Sequence, residues 1–230
     1  MKNMAKLGSL WLLLLISGGA AFRDAQLPIC NEDAFQPNYI PKLDALLRWR
    51  KFPVRVYFVR DAHHTPERQQ LAIEGFQQWT RLTDNKVRFE VVDDEQEAQI
   101  WVRFDPSSKA GRTDCTYYPE RREIIRAEMI IGVKEDVPLD IQSVSVHEFG
   151  HALGIVGHSD DSKDAMYPRY TVGKLASLSQ RDLNAVKTAY CELFDEERAI
   201  AALERTRGLP SSRDEPRKVQ IVCGKPRSSR

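Results

Sequence analysis

The 230-residue chain is 42% hydrophobic and 29% charged, enough apolar content for one good-sized core and a small appendage, as in an ordinary soluble globular protein. Its 34 basic and 33 acidic side chains nearly cancel, which excludes a global field toward nucleic acid or an anionic membrane surface. Partners are therefore to be sought at local sites, and no nucleic-acid partner is expected.

In chain order, Lys2 and Lys6 precede the apolar run from Leu7 to Ile16, followed by Ser17, Gly18, Gly19, Ala20 and Ala21. That is the layout of a secretory signal peptide over residues 1–21. The run is short of the ~20 apolar residues a membrane span needs, so cleavage near Ala20 or Ala21 is expected over an uncleaved anchor. Membrane contact is expected only through this segment. Export places the mature chain outside the cell, or in the periplasm if the source is Gram-negative. There Cys30, Cys115, Cys191 and Cys223 can pair, and four cysteines allow three connectivities. None has the Cys-x-x-Cys spacing of a zinc ribbon, so they read as structural or free thiols and not as metal ligands.

Pro28, Pro37 and Pro41 interrupt residues 22–46, an irregular leader expected to pack on the domain. Val54, Val56 and Phe58 alternate with Arg55 and Tyr57, a half-buried strand. A loop carrying His63 and His64 follows, both read as exposed. Thr65, Pro66 and Glu67 start a helix in which Ala72, Ile73, Phe76 and Trp79 recur at helical spacing to about Leu82. Alternating runs then come at Val87 to Val91, at Ile100 to Phe104 and at Ala127 to Val133. After Pro138, Asp140 is a candidate cap for a helix bearing Val144, Phe149 and Leu153, and Gly154 is placed to end it. A last helix starts at Ser179, paired with Asp182 as a capping box, and is expected to extend through Leu203 within a domain spanning 47–206. Residues 207–230, rich in Pro, Ser and basic side chains, read as a flexible solvated tail.

The chemistry is carried by His147-Glu148-Phe149-Gly150-His151. Two imidazoles four residues apart project from one helix face, where a single metal ion can bridge them, and Glu148 can reach a water beside the ion without ligating it. A catalytic zinc usually takes three protein ligands and keeps one position open, and His158 supplies the third. Gly154 eases the reversal of the chain after the helix, and Gly157 adds freedom just before the ligand. The full pattern, His-Glu-x-x-His-x-x-Gly-x-x-His, is the elongated zinc motif of metzincins. Asp164-Ala165-Met166-Tyr167-Pro168 follows, with Met166 where metzincins place a methionine turn.

Within the metzincins the chain resembles the matrixins. The resemblance rests on Ser159 after the third histidine, on Met166-Tyr167-Pro168-Arg169-Tyr170, on Leu178-Ser179-Gln180-Arg181-Asp182 and on Arg48-Trp49-Arg50-Lys51, and covers about residues 47–190. It implies an α+β, zincin-like domain: a twisted mixed sheet of about five strands, two long helices, an active-site helix and a small C-terminal subdomain. It further implies a secreted, monomeric zinc endopeptidase acting on protein or peptide substrates, with one catalytic Zn2+ on His147, His151 and His158 and with Glu148 as the base. An extended substrate would lie along the sheet edge. Pro168 to Tyr170 would wall the pocket for the side chain after the scissile bond, and the small Ser143 near its base would leave it roomy. Ca2+ sites are compatible with the resemblance, but no residues identify one.

Several features depart from the family. No Pro-Arg-Cys-Gly-type cysteine precedes the domain, so latency through a zinc-bound cysteine is not expected. No histidine lies between Phe104 and Ile124, so a second, structural zinc is not expected either. Asp182 is expected to brace the methionine turn without an N-terminal ammonium partner. The rival function is a catalytically silent, secreted zinc-binding interaction module of the same fold. Glu148 argues against it, because a structural site needs no base and usually closes its fourth position with protein.

Overall fold

The structure, a computed structural model, describes residues 28–206 and 215–223; the expected signal peptide, residues 1–21, lies outside the described residues. None of the described helices is long and apolar enough to cross a membrane. The elements are β1 (Ala45–Leu46), β2 (Arg48–Trp49), β3 (Val54–Phe58), α1 (Pro66–Leu82), β4 (Phe89–Val91), β5 (Ile100–Asp105), β6 (Arg112–Tyr118), β7 (Glu123–Gly132), α2 (Pro138–Ala152), β8 (Ile155–Val156), α3 (Gln180–Ala189), α4 (Glu196–Thr206) and β9 (Arg217–Val222).

The fold is α+β. The main sheet runs β4-β3-β5-β7-β6-β9, with β2 joined to β7. β3, β4, β5 and β7 are mutually parallel where they pair, whereas β6 is antiparallel to both β7 and β9. Val54, Val56 and Phe58 of β3 and Ile100, Val102 and Phe104 of β5 turn one face into the core, as their alternation requires. Against that face lie α1 and α2, joined by the stacked rings of Phe76 and Phe149 with centroids 4.4 Å apart. Their close approach needs Gly75, where a Cβ would come within 2.8 Å of the Gln142 carbonyl oxygen.

The helix starts follow local chemistry. Thr65 caps α1 by accepting from the Arg68 amide, with Pro66 in the first turn. Ser179 and Asp182 form a reciprocal capping box on α3. At α2 the cap is Val137, with no side-chain hydrogen bond, and Asp140 sits in the first turn, its carboxylate accepting instead from the Gly173 amide at 2.7 Å. A carboxylate in the first turn still meets the positive end of the helix dipole.

Besides the cap of α2, where Asp140 was expected, three features differ from the sequence expectations. The last helix does not extend unbroken to Leu203: α3 ends at Ala189, a 3-10 turn covers Cys191–Leu193, and α4 follows. The Cys30–Cys191 disulfide sits at that break and ties the leader to it. The leader also contributes β1, paired with β8, and the fully buried Tyr39. Finally, the tail is not flexible throughout, because residues 217–222 form β9 on the exposed edge of β6 and so lengthen the expected five-strand core. Paired backbone groups order this segment with little apolar burial, which the composition argument did not anticipate.

Candidate metal centre

α2 carries the site. From Ser143 to Ala152 every residue is buried, so the helix is fixed by packing and not by propensity, which suits two histidines and a glutamate that must hold one orientation. The Nδ1 of His147 faces the Ala165 carbonyl at 2.7 Å and that of His151 faces the Ile155 carbonyl at 2.7 Å. Each of these nitrogens must carry the proton, which leaves the Nε2 lone pairs turned inward. Those two Nε2 atoms are 3.0 Å apart, and Nε2 of His158 is buried without a hydrogen-bond partner.

Burial, followed by the neighbouring His158, pushes His147 down to about 4. Burial likewise holds His151 well below its usual value and lowers His158. All three rings are therefore neutral near pH 7 with lone pairs facing one another, an arrangement that a shared cation satisfies and a proton does not. The residues fit zinc by donor type as well, since imidazole nitrogen is among its usual ligands.

The turn that brings in His158 depends on its glycines. Gly154 has φ +108°, and a Cβ there would stand 2.2 Å from the Leu47 carbonyl oxygen. Beneath the histidines, Met166 packs fully buried against α2 at Gly150, where a Cβ would meet its sulfur at 2.3 Å and Trp79 at 2.7 Å. Asp182 holds this turn by accepting from the Ala165 amide at 2.9 Å and the Met166 amide at 3.4 Å. The Tyr39 hydroxyl donates to the same carboxylate at 2.8 Å. Ser159 donates to Asp164, and its amide donates to the Met166 carbonyl at 2.9 Å.

Glu148 is fully buried in the wall of a cavity of about 450 Å³. Its Oε2 accepts from the Thr113 hydroxyl at 2.6 Å, and Gly111 makes room for Oε1, which a Cβ would approach to 2.2 Å. Burial raises the carboxyl to about 7, with the Cys223 thiol and the Thr113 hydroxyl opposing the rise. The group can thus both take and return a proton near neutrality.

Ser143, Tyr167, Pro168 and Tyr170 line the same cavity. Ser143 does more than leave space: its hydroxyl donates to the Leu139 carbonyl at 2.7 Å and accepts from the Ala176 amide at 2.9 Å, tying the opposite wall to α2. The Tyr170 hydroxyl reaches the Lys109 carbonyl at 3.1 Å across the cleft, and burial raises its phenol. His63 is exposed, and His64 meets Gln69 at 2.7 Å, so neither belongs to the site.

Four residues of the centre escaped the sequence reading. Gly111 precedes and Thr113 lies within β6, a strand with no run of alternating large apolar side chains, and Tyr39 sits in the irregular leader. The fourth is Cys223, read from the sequence as a structural or free thiol, which stands among donors that could hold a metal ion. Its sulfur, 3.5 Å from His151 Nε2, belongs with the three histidines to a set whose ligand atoms all lie within 4.8 Å of one another. Within an otherwise charged tail, the alternation of Val219 and Ile221 just before that cysteine was the available signal.

His147 and His151 on a buried helix, His158 brought beside them by the turn that follows, and Met166 packed beneath fit a metzincin-like α+β domain. Residues 127–191 match the matrixin family, and over this region the chain is similar to the matrixins. Among similar proteins, the 72 kDa type IV collagenase of Gallus gallus is 32% identical over 88 residues, 38% of this chain and 13% of that protein. Metalloendoproteinase 2-MMP of Arabidopsis thaliana is 42% identical over 88 residues, 38% of this chain and 22% of the relative. Interstitial collagenase of Bos taurus is 41% identical over 51 residues, 22% of this chain and 11% of the relative. The matched stretches thus span less than a quarter of each relative's length.

Proposed function

We propose that this chain is a secreted zinc metalloendopeptidase that hydrolyses peptide bonds in extended protein segments. The observation that carries the reading is the convergence of three neutral imidazoles beside a buried glutamate at the wall of a cleft. Its collagenase and metalloendoproteinase relatives support the same reaction class. His147, His151 and His158 would hold the ion, and Glu148 would act as the base. Zinc, when bound there, polarises a carbonyl and acidifies water. Glu148 then takes the proton of the attacking water and delivers it to the leaving amine. Thr113 steadies the carboxyl during both transfers, and the neutral form favoured by burial lies close enough to pH 7 for either direction.

Substrate would add to the β6 edge by main-chain hydrogen bonds, with one side chain entering the cavity between Ser143, Pro168 and Tyr170. Such pairing reads backbone before sequence, so broad tolerance is expected outside that pocket. Residues 1–21 would direct export and residues 47–206 would form the catalytic unit, acting as a monomer. The Cys30–Cys191 disulfide favours an oxidising compartment.

The test is cleavage of an unfolded protein by the zinc-loaded chain, alone and in a Cys223→Ser background. Glu148→Ala is expected to lower the rate about 10²–10⁴-fold, and chelation to abolish it. Equal cleavage by the Glu148 variant rejects the mechanism. The second reading, a catalytically silent zinc-binding module, is favoured by one observation: Cys223 supplies a fourth donor, and structural sites are closed. Zinc uptake without cleavage in the Cys223→Ser background would establish it.

A further inference from the structure

Cys223 reaches the metal centre because β9 lies along the edge of β6. The register pairs Tyr117 with Arg217, Thr113 with Ile221 and Arg112 with Val222, and the Cys223 amide then donates to the Gly111 carbonyl at 3.4 Å. The backbone groups of β6 that an extended substrate would use are thus already taken. The strand ends with a thiol beside Glu148 and His151. Next to it, His158 presents a buried nitrogen without a partner. A sulfur and three imidazoles whose ligand atoms all lie within 4.8 Å of one another make the four-donor N/S set typical of a closed tetrahedral zinc site.

What holds β9 in place is slight. Only Ile221 is buried, Val222 is 61% exposed, and the visible ion pairs run from the half-exposed Lys218 to Asp114 at 3.1 Å and Glu128 at 3.8 Å. The pair with Glu128 is exposed on both sides and contributes little, while Asp114 is buried and its pair with Lys218 is the one firmer tie. Backbone pairing and one isoleucine can be exchanged for a substrate strand. A metal–thiolate bond cannot be exchanged as readily, so the sulfur is the element that makes the cover persistent.

Building on the metalloendopeptidase reading, we infer that the C-terminal segment is an intramolecular inhibitor. β9 fills the substrate edge and Cys223 binds the zinc as a fourth ligand, and their joint release opens the site. Binding would break the S–H bond of Cys223, its proton passing to solvent, and would put sulfur in the place of the water that hydrolysis requires; no other bond of the chain changes. The latch would be β9 and Cys223, which follow the catalytic unit in the chain.

The experiment uses the full chain loaded with cobalt for spectroscopy and with zinc for cleavage of an unfolded protein. Wild type is expected to show a thiolate-to-cobalt charge-transfer band that Cys223→Ser lacks, while zinc-loaded Cys223→Ser cleaves about tenfold faster or more than wild type. Ile221→Asp, which loosens β9 without removing sulfur, is expected to weaken the band and raise cleavage in the same direction. A wild-type chain without the band, or a band that survives in Cys223→Ser, overturns the assignment of the fourth ligand. Equal, Glu148-dependent cleavage by wild type and Cys223→Ser overturns the inhibitory role. If the band behaves as expected but no variant cleaves, the inhibitor is refuted along with the peptidase, and Cys223 is the closing ligand of a structural site.

Discussion

The two segments that meet at the metal centre are built in opposite ways. Along α2, Ser143 to Ala152 are buried without interruption, and glycines at 75 and 150 let α1, Trp79 and Met166 press against its surface. Along β9, only Ile221 is buried. The first segment is determined many times over by packing, so its histidines stay where they are whatever occupies the cleft. The second is held by main-chain pairing, so it can leave without disturbing the core. A site that must keep its geometry while admitting a substrate needs both kinds of support, one on each side.

The sharpest way to break this comparison is to overfill α2. Gly150→Val drives a branched side chain into Met166 and Trp79, and is expected to cost about 3 kcal/mol or more, lowering the melting temperature by roughly 6–12 °C with loss of zinc binding. A stable, zinc-binding Gly150→Val chain would mean the methionine turn is free to move. Next comes Gly154→Ala, which forces a side chain into positive φ against Leu47 and should destabilise by about 2 kcal/mol in thermal unfolding. Tyr39→Phe removes the buried donor to Asp182 and should cost about 1–2 kcal/mol, with cleavage falling only as far as the methionine turn shifts. On the other side, Lys218→Ala on β9 takes a half-exposed ammonium from the buried Asp114 and should cost about 1 kcal/mol. Amide exchange makes the same point in one sample: Gln220 to Val222 should exchange at far lower opening cost than His147 to His151.

The parts of this arrangement that were legible in the sequence are those where one local rule governs. Alternation exposed β3, β5 and β7, helical spacing and caps exposed α1 and α3, and the spacing of His147, His151 and His158 made α2 readable as a metal helix. β6 was missed because its inward positions are Thr113 and Cys115: a strand beside a cleft exchanges apolar side chains for ones that serve the site, which erases the period-two signal. The break after Ala189 was missed because a covalent bond to Cys30, 161 residues away in sequence, is invisible to helical periodicity. Tyr39 and Cys223 act through long-range placement alone. Neither carries a local motif, and the composition around each argued for an irregular leader and a solvated tail.

The account stands or falls on proton transfer by Glu148 at a site opened on its free side. The most direct measurement compares zinc-loaded Cys223→Ser with Cys223→Ser/Glu148→Gln on one unfolded substrate, at matched metal content. The account predicts ready cleavage by the first and a loss of about 10²–10⁴-fold in the second. Equal rates in the two chains would contradict it.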